Sequence, residues 1–129
     1  MSHANWGAIV VGAISGLGAG VILAVALLAV GVADNDTTAG LIILILVGFV
    51  GQLVAGYVAA RFAGRDQAMH GSLAALSLFL VTAAISIVSG ADPAVLALVF
   101  WAIVSAVLGT AGGVLAVFIR EGGERRDLR

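Results

Sequence analysis

Residues 6–32 read WGAIVVGAISGLGAGVILAVALLAVGV, a stretch without a single charged side chain. Spanning the hydrocarbon core of a bilayer takes about 20 residues of α-helix, so this stretch is long enough to cross a membrane. Three further stretches are also apolar and carry few or no charges: residues 38–62, 68–89 and 93–119. The sequence therefore predicts four transmembrane helices, followed by a tail at residues 120–129.

The composition of the whole chain supports this interpretation. Of its 129 residues, 62% are hydrophobic and 10% are charged, whereas a soluble domain is roughly 45–50% apolar and about a quarter charged. Within lipid only helices and closed barrels pair all their backbone groups, and barrel strands alternate polar and apolar residues. These stretches do not alternate. We therefore expect an all-α polytopic membrane protein, a single transmembrane domain of residues 1–129 with its helices in an antiparallel bundle.

The charged residues of the predicted loops are unevenly distributed. The six basic residues flank the second loop or lie in the tail, whereas the other two loops carry acidic residues. The arginines are Arg61, Arg65, Arg120, Arg125, Arg126 and Arg129, and the acids are Asp34, Asp36 and Asp92. Because loops rich in Lys and Arg stay in the cytoplasm, we expect both termini on the cytoplasmic side of the cell (inner) membrane. The first stretch is longer than a signal-peptide core and lacks a basic residue before it, which predicts that it is retained.

Residues typical of helix ends mark the predicted boundaries. Asp92 and Pro93 predict an N-cap and the first position of the fourth helix. Gly64 is expected to end the second helix, and the side chain of Asp66 to cap the third.

Glycine recurs every fourth residue in the first stretch, at Gly12, Gly16 and Gly20. A dinucleotide-binding loop needs G-x-G-x-x-G between a strand and a helix, and a P-loop needs a lysine, which this chain lacks. In lipid, small residues at this spacing let two helix backbones approach closely. The second and fourth helices carry similar rows: Gly48, Gln52 and Gly56, and Ser105, Gly109 and Gly113. These rows predict helix-packing faces, either within the chain or against another subunit.

The third helix carries a different row, at alternating spacings of three and four. Its members are Ser72, Ala75, Phe79, Thr82, Ser86 and Ser89. Such a face either packs against a neighbouring helix or lines a polar conduction path. Gln52 is the one strongly polar side chain deep within a span, and it either bonds between helices or contacts a ligand. The absence of Asp and Glu from the spans argues against ion-coupled transport.

A cluster of polar residues surrounds the second predicted turn: Tyr57, Arg61, Arg65, Asp66 and His70. Two arginines and a histidine are suited to a lipid phosphate or to the acidic groups of a partner. Alternatively, Arg61 extends to the membrane surface, Tyr57 lies at the interface and His70 bonds a loop carbonyl. Of the tryptophans, Trp6 is predicted to anchor the chain at the interface and Trp101 to face lipid or a neighbouring subunit.

The sequence AGYVAARFAGRDQAMHGSLAAL, residues 55–76, resembles small four-helix bacterial membrane proteins of the uncharacterised YrzE-like type. The matching positions are Gly56, Tyr57, Ala59, Arg61, His70 and Gly71, and Ala60 and Ala75 stand where that pattern often has glycine. The resemblance implies the same four-helix arrangement over nearly the whole chain, and it implies no activity.

The functional expectation is therefore a non-enzymatic membrane protein. The chain has no cysteine, and its two histidines, His3 and His70, have no nearby companion ligand, so no metal, cofactor or nucleophile site is predicted. We expect an accessory, assembly or structural subunit that packs against lipid, copies of itself or a larger membrane complex, with no nucleic-acid partner. The alternative is a small oligomeric channel or transporter for an uncharged or anionic solute.

Overall fold

The computed structural model describes residues 4–34 and 36–124 of the chain. Within these residues it contains four α-helices and no β-strand, and it is 85% helical. The helices are α1 (Trp6–Ala29), α2 (Thr38–Ala63), α3 (Gln67–Val88) and α4 (Val95–Glu124). Each has the length and hydropathy to cross a membrane, so the prediction of an all-α protein with four such helices is confirmed. Arg125, Arg126 and Arg129 of the predicted tail, and His3, lie outside the described residues.

The same backbone motif ends α1 and α3. After α1, Gly31 has a φ of 72°, and the N–H of Val32 donates to the Leu27 carbonyl oxygen at 2.9 Å. Gly90, with a φ of 95°, follows α3 in the same way. In such Schellman motifs a left-handed residue turns the chain back onto the last helical carbonyls. This motif ends α1 at Ala29, earlier than the apolar run alone predicts.

The turn between α2 and α3 is formed by two residues with positive φ. Gly64, with a φ of 72°, ends α2 as predicted. Asp66 precedes α3 with a φ of 49°, but its side chain makes no capping hydrogen bond. The prediction that the Asp66 carboxylate caps α3 is therefore wrong, because the left-handed backbone replaces the extended conformation that an N-cap side chain needs.

Both ends of α4 differ from the prediction. The helix begins at Val95 instead of Pro93, since the Ala94 carbonyl oxygen accepts the first helical hydrogen bond, at 3.1 Å. Ala94 therefore occupies the cap position that was assigned to Asp92. At its other end α4 continues to Glu124, into the segment predicted as a tail, because paired glycines weaken a helix without blocking it as proline does.

The helices do not contact one another equally. α2 packs against the three other helices, and α3 does so as well. Among the described residues α1 and α4 make no contact with each other. The pair α2 and α3 therefore forms the centre of the bundle, with α1 and α4 packed against it.

Small side chains fill the interior of the bundle, and large ones cover its surface. Ala55, Ala59 and Ala74 are fully buried, and Ile9 is the largest fully buried side chain. Val88, in contrast, is 88% exposed, and many other large aliphatic side chains lie outside. This distribution reverses that of soluble proteins. It suits lipid, where large side chains contact acyl chains and small ones let helices approach.

Burial also divides the bundle along its length into two halves. The close-packed half surrounds the α2–α3 turn, and the cavity half surrounds the other two turns. The close-packed half comprises residues 5–16, 51–63, 67–78 and 105–121, and the cavity half comprises residues 17–29, 38–50, 79–88 and 95–104. Within the cavity half only Gly40 and Val47 are buried, and the other buried residues of the described helices belong to the close-packed half.

Candidate functional site

Gly12 and Gly16 bring the backbone of α1 against α2. A Cβ atom placed on Gly12 would lie 2.6 Å from the Ala55 carbonyl oxygen, and one on Gly16 would lie 2.5 Å from the Gly51 carbonyl oxygen. Real Cβ atoms do not approach neighbours this closely, so both contacts depend on glycine. Gly20 is looser, because its Cβ would lie 3.9 Å from the Cα of Gly51. The groove along α1 is thus filled by this chain's own α2.

Three helix backbones meet at Gly109 of α4. A Cβ atom on Gly56 of α2, or on Gly71 of α3, would overlap the Gly109 carbonyl oxygen. One turn further along α4, a Cβ on Gly113 would lie 2.7 Å from the Gln67 carbonyl oxygen. At this level the three backbones touch, and the Ala75 methyl group is the side chain that also lies against Gly109.

Other members of the predicted rows lie elsewhere. A Cβ atom on Gly48 would meet no atom within 4 Å, so Gly48 does not make the close contact that its spacing predicts. Gly48 is exposed and lines the cavity described below. Ser105 is buried and lies beside a cavity.

A cavity of about 640 Å³, partly open to the surroundings, lies between the four helices, where the close-packed half ends. Its walls are mainly apolar, and four polar side chains line it: Gln52, Thr82, Ser86 and Ser105. Pockets for small molecules commonly measure about 300–1,000 Å³. The cavity is therefore large enough to hold a small organic molecule, and it is the principal candidate site in the part of the chain that the structure describes.

Gln52 is the polar side chain at the boundary between the two halves. Its Oε1 atom is buried, and no described residue donates a hydrogen bond to it. The hydroxyl of Thr82 also lines the cavity, but it donates to its own helix, to the Leu78 carbonyl oxygen at 3.1 Å and the Phe79 carbonyl oxygen at 2.9 Å. A buried amide oxygen without a partner costs about 1–3 kcal/mol. Two roles were predicted for Gln52, a hydrogen bond between helices and a contact with a ligand. Within the described helices, no hydrogen bond to its Oε1 atom is made.

The row of residues along α3 is divided between the two halves. Ser72 and Ala75 lie in the close-packed half. A Cβ atom placed on Gly109 would lie 2.5 Å from the Cβ of Ala75. Phe79, Thr82 and Ser86 line the cavity. Ser89 lies beyond the cavity, at the C-cap of α3.

Trp101 also lines the cavity, together with aromatic neighbours. Its ring centroid is 5.8 Å from that of Phe49 and 5.4 Å from that of Phe100, both within the range of favourable aromatic pairs. The side chain is half-buried. Trp101 therefore faces the inside of the bundle in part, whereas its position in the sequence predicted contact with lipid or another subunit.

His70 connects the start of α1 to the start of α3. The backbone N–H of Asn5 donates to Nε2 of His70 at 2.8 Å, and Nδ1 lies 3.0 Å from the Asp66 carbonyl oxygen. Since the N–H can only donate and the carbonyl can only accept, these partners select the neutral ring with its proton on Nδ1. The side chain is 2% exposed. Its nitrogens are occupied by the chain itself, so His70 is not available to a lipid phosphate.

The remaining residues of this cluster lie nearer the surface. Arg61 stacks its guanidinium over the Tyr57 ring, with 6.0 Å between Cζ and the ring centroid. Arg61 and Arg65 are exposed, and Tyr57 is half-buried. The exposure of these side chains is compatible with both predicted roles, a contact with lipid phosphate or a partner and a position at the membrane surface.

Several residues that shape the site were not singled out by the sequence. Gly51 and Gly112 lie against the backbones of α1 and α2, respectively, but neither belongs to the predicted rows. Asn5 caps α1 through its side chain, 3.2 Å from the Ala8 nitrogen, while its backbone binds His70. The N-cap preference of asparagine before an apolar run was a signal that could have identified Asn5.

The described residues contain no group of three His, Cys, Asp or Glu side chains that could hold a metal ion. Among these residues, no histidine or carboxylate lines the cavity beside its hydroxyls. The arrangement is suited to binding through apolar contact and one amide. Among protein-family models, curated proteins and solved structures, none matches this chain.

Proposed function

We propose that the protein is a non-catalytic integral membrane protein, an accessory or structural subunit that acts by packing against other molecules in the membrane. One observation carries this proposal. In the close-packed half, Gly56, Gly71 and Gly109 place three backbones in contact, without space for a methyl group. A solute moving along the bundle axis would have to separate these helices. A rigid half of this kind suits a structural component better than a conduit.

The proposal includes a location and a topology. We place the chain in the cell (inner) membrane, as a single transmembrane domain with its helices antiparallel and both termini in the cytoplasm. The register of contacts supports antiparallel packing of α1 and α2, because Gly12 meets Ala55 and Ala59 while Gly16 meets Gly51 and Ala55. Arg61 and Arg65 at the α2–α3 turn support the cytoplasmic orientation. The exposed large side chains leave lipid, a second copy or another membrane subunit as neighbours.

Membership of the YrzE-like type is a further part of the proposal. The residues that carry the resemblance have structural roles in this chain. Gly56 and Gly71 both face Gly109, and His70 binds Asn5. A pattern made of such positions would record a shared architecture and not a shared active site, which agrees with a non-catalytic role.

The cavity favours a second candidate, a small oligomeric channel or transporter for an uncharged or anionic solute. Gln52, Thr82 and Ser105 give its lining polar groups at the level where the bundle opens. In this alternative the cavity would be one end of a path, and the helices of the close-packed half would have to move apart to complete it.

Flux and stoichiometry measurements distinguish the two candidates. For the full chain in liposomes, we expect glycerol and chloride fluxes equal to those of empty liposomes. For the chain extracted from its native membrane in a mild detergent, native mass spectrometry should show a complex of fixed stoichiometry. Flux that Gln52→Leu abolishes, with Gln67→Leu as a matched control, would favour the channel. A lone monomer would contradict the subunit role.

A further inference from the structure

We propose that the cavity beside Gln52 is a binding site for an uncharged amphiphile, a molecule with one hydroxyl group on an apolar chain or ring. The inference goes beyond the proposed function, because a subunit and a channel could each hold such a molecule. It stands on three observations: an unpartnered buried amide, apolar walls, and a volume suited to a small molecule.

The amide selects the polar group of the ligand. The buried Oε1 of Gln52 needs a donor, and the described residues supply none. A carboxylate cannot donate, since an ionised carboxylate only accepts hydrogen bonds. A cation could donate, but no acidic side chain lines the cavity to offset the cost of burying its charge. A hydroxyl both donates and accepts, so it can bond to the oxygen and to the nitrogen of one amide.

The walls select the rest of the ligand. Leu17 and Val21 of α1, Leu44 of α2 and Phe79 of α3 present apolar surface to the cavity, and Trp101 of α4 adds an aromatic face. A sugar or polyol would leave several hydroxyls unpaired against these walls, at a cost for each. One hydroxyl on an apolar body satisfies the amide and fills the remaining space with apolar contacts.

The hydroxyls of the protein do not compete strongly for the amide. Thr82 donates to two carbonyl oxygens of α3, and Ser86 is exposed. Thr110, further along α4, likewise donates to its own helix, to the Ala106 carbonyl oxygen at 2.8 Å. Ser105, the fourth polar side chain of the lining, is buried and makes no hydrogen bond among the described residues. Gln52 and the Ser105 hydroxyl are therefore the polar contacts that the cavity leaves open for a ligand, and of the two only Gln52 holds a fully buried atom without a partner.

Fluorescence quenching tests the proposal with a defined probe. The chain has two tryptophans, of which Trp101 lines the cavity and Trp6 lies at the other end of the bundle, so Trp6→Phe leaves one reporter. The probe is ω-bromoundecanol, whose bromine quenches tryptophan on contact, added to the Trp6→Phe protein in a detergent without hydroxyl groups. We expect saturable quenching of Trp101 that undecanol reverses by competition.

Two comparisons separate specific binding from partition into detergent. Bromoundecane and ω-bromoundecanoate should give weaker quenching without saturation. Gln52→Leu should weaken binding of the alcohol about five- to tenfold, the equivalent of one hydrogen bond, and Gln67→Leu, the same change outside the cavity, should leave it unchanged. Equal binding of bromoundecane and the alcohol, an unchanged affinity in Gln52→Leu, or quenching that never saturates would each overturn the proposal. The last result is also expected if water or a second copy of the chain occupies the cavity.

Discussion

The two halves of this bundle are built from the same four helices, yet they pack in opposite ways. In the close-packed half, backbones touch at Gly16, Gly56 and Gly109, and alanines such as Ala55 fill the interior. In the cavity half the same helices stand apart around a space of about 640 Å³. The backbones meet where small residues lie opposite one another, as Gly56 and Gly71 do at Gly109. The cavity is lined by a mixture of glycines and large apolar side chains.

Small residues bring helices together in pairs and not alone. Gly48 has the spacing of a contact residue, but an added Cβ there would meet no atom within 4 Å. Gly51 does not belong to the four-residue row of α2, but Gly16 lies opposite it and the two backbones meet. In lipid, where large apolar side chains gain little by turning inward, such matched pairs decide where helices associate.

The largest expected effect comes from breaking the closest contact. Gly109→Leu would force a side chain between the backbones of α3 and α4, and we expect destabilisation of about 3 kcal/mol or more, or failure to fold. At Gly48 an added Cβ would meet nothing within 4 Å, so Gly48→Leu should be neutral or stabilising by up to about 1 kcal/mol, because leucine favours a helix more than glycine does. Unfolding of the two proteins in detergent, followed by circular dichroism, measures the difference. Equal losses would contradict the division into two halves.

A smaller change on one helix sharpens the comparison. Gly16→Ala should cost about 1–3 kcal/mol, because its Cβ would press on the Gly51 carbonyl oxygen. Gly18→Ala has open space and should be neutral or up to about 1 kcal/mol stabilising, since alanine favours a helix. The thermal denaturation curve of Gly16→Ala should therefore shift to lower temperature, and that of Gly18→Ala should stay in place or shift to higher temperature. If both variants shifted together, helix propensity and not close contact would govern these positions.

The hydrogen bond between Asn5 and His70 joins the start of α1 to α3 at the end of the close-packed half. His70→Phe keeps a ring of similar size but removes the acceptor for the Asn5 N–H, and we expect a loss of about 1 kcal/mol. Amide hydrogen exchange in the first turn of α1 should become faster, while exchange near Gly109 stays slow. Arg65→Ala changes an exposed residue of the same turn and should leave both rates as they are. Unchanged exchange in His70→Phe would show that the contact does not anchor α1.

The sequence was sufficient for the helices and for many of their contacts. Long apolar runs predict spanning helices because the bilayer imposes their length, and the described structure contains four such helices. The spacing of Gly12 and Gly16 identifies a face that does pack closely. Gly56 and Gly109 follow the same logic, and they meet each other.

What could not be predicted depends on pairing between distant segments. Whether a row of small residues makes a close contact depends on the residues of the opposite helix. The sequence therefore predicted a close contact at Gly48 that is not made, and it missed the one at Gly112. The cavity is a property of four helices together, and no single helix encodes it. Likewise, the Asn5 partner of His70 lies 65 positions away along the chain, beyond the reach of a local pattern. The roles of Asp66 and Gly31 depend on their positive φ angles at turns. Amino-acid composition predicts such angles poorly.

The smallest expected effect concerns the boundary between the two halves. Gln52→Leu replaces the buried, unpartnered amide with an apolar side chain of similar size, and it should stabilise the ligand-free protein by about 1 kcal/mol. Gln67→Leu is the matched control and should have no comparable effect. Denaturation in a detergent without hydroxyl groups keeps the cavity free of the competing alcohol. If Gln52→Leu were instead destabilising, the amide would have a partner such as ordered water, and the cavity half would be a hydrated space and not a mainly apolar one.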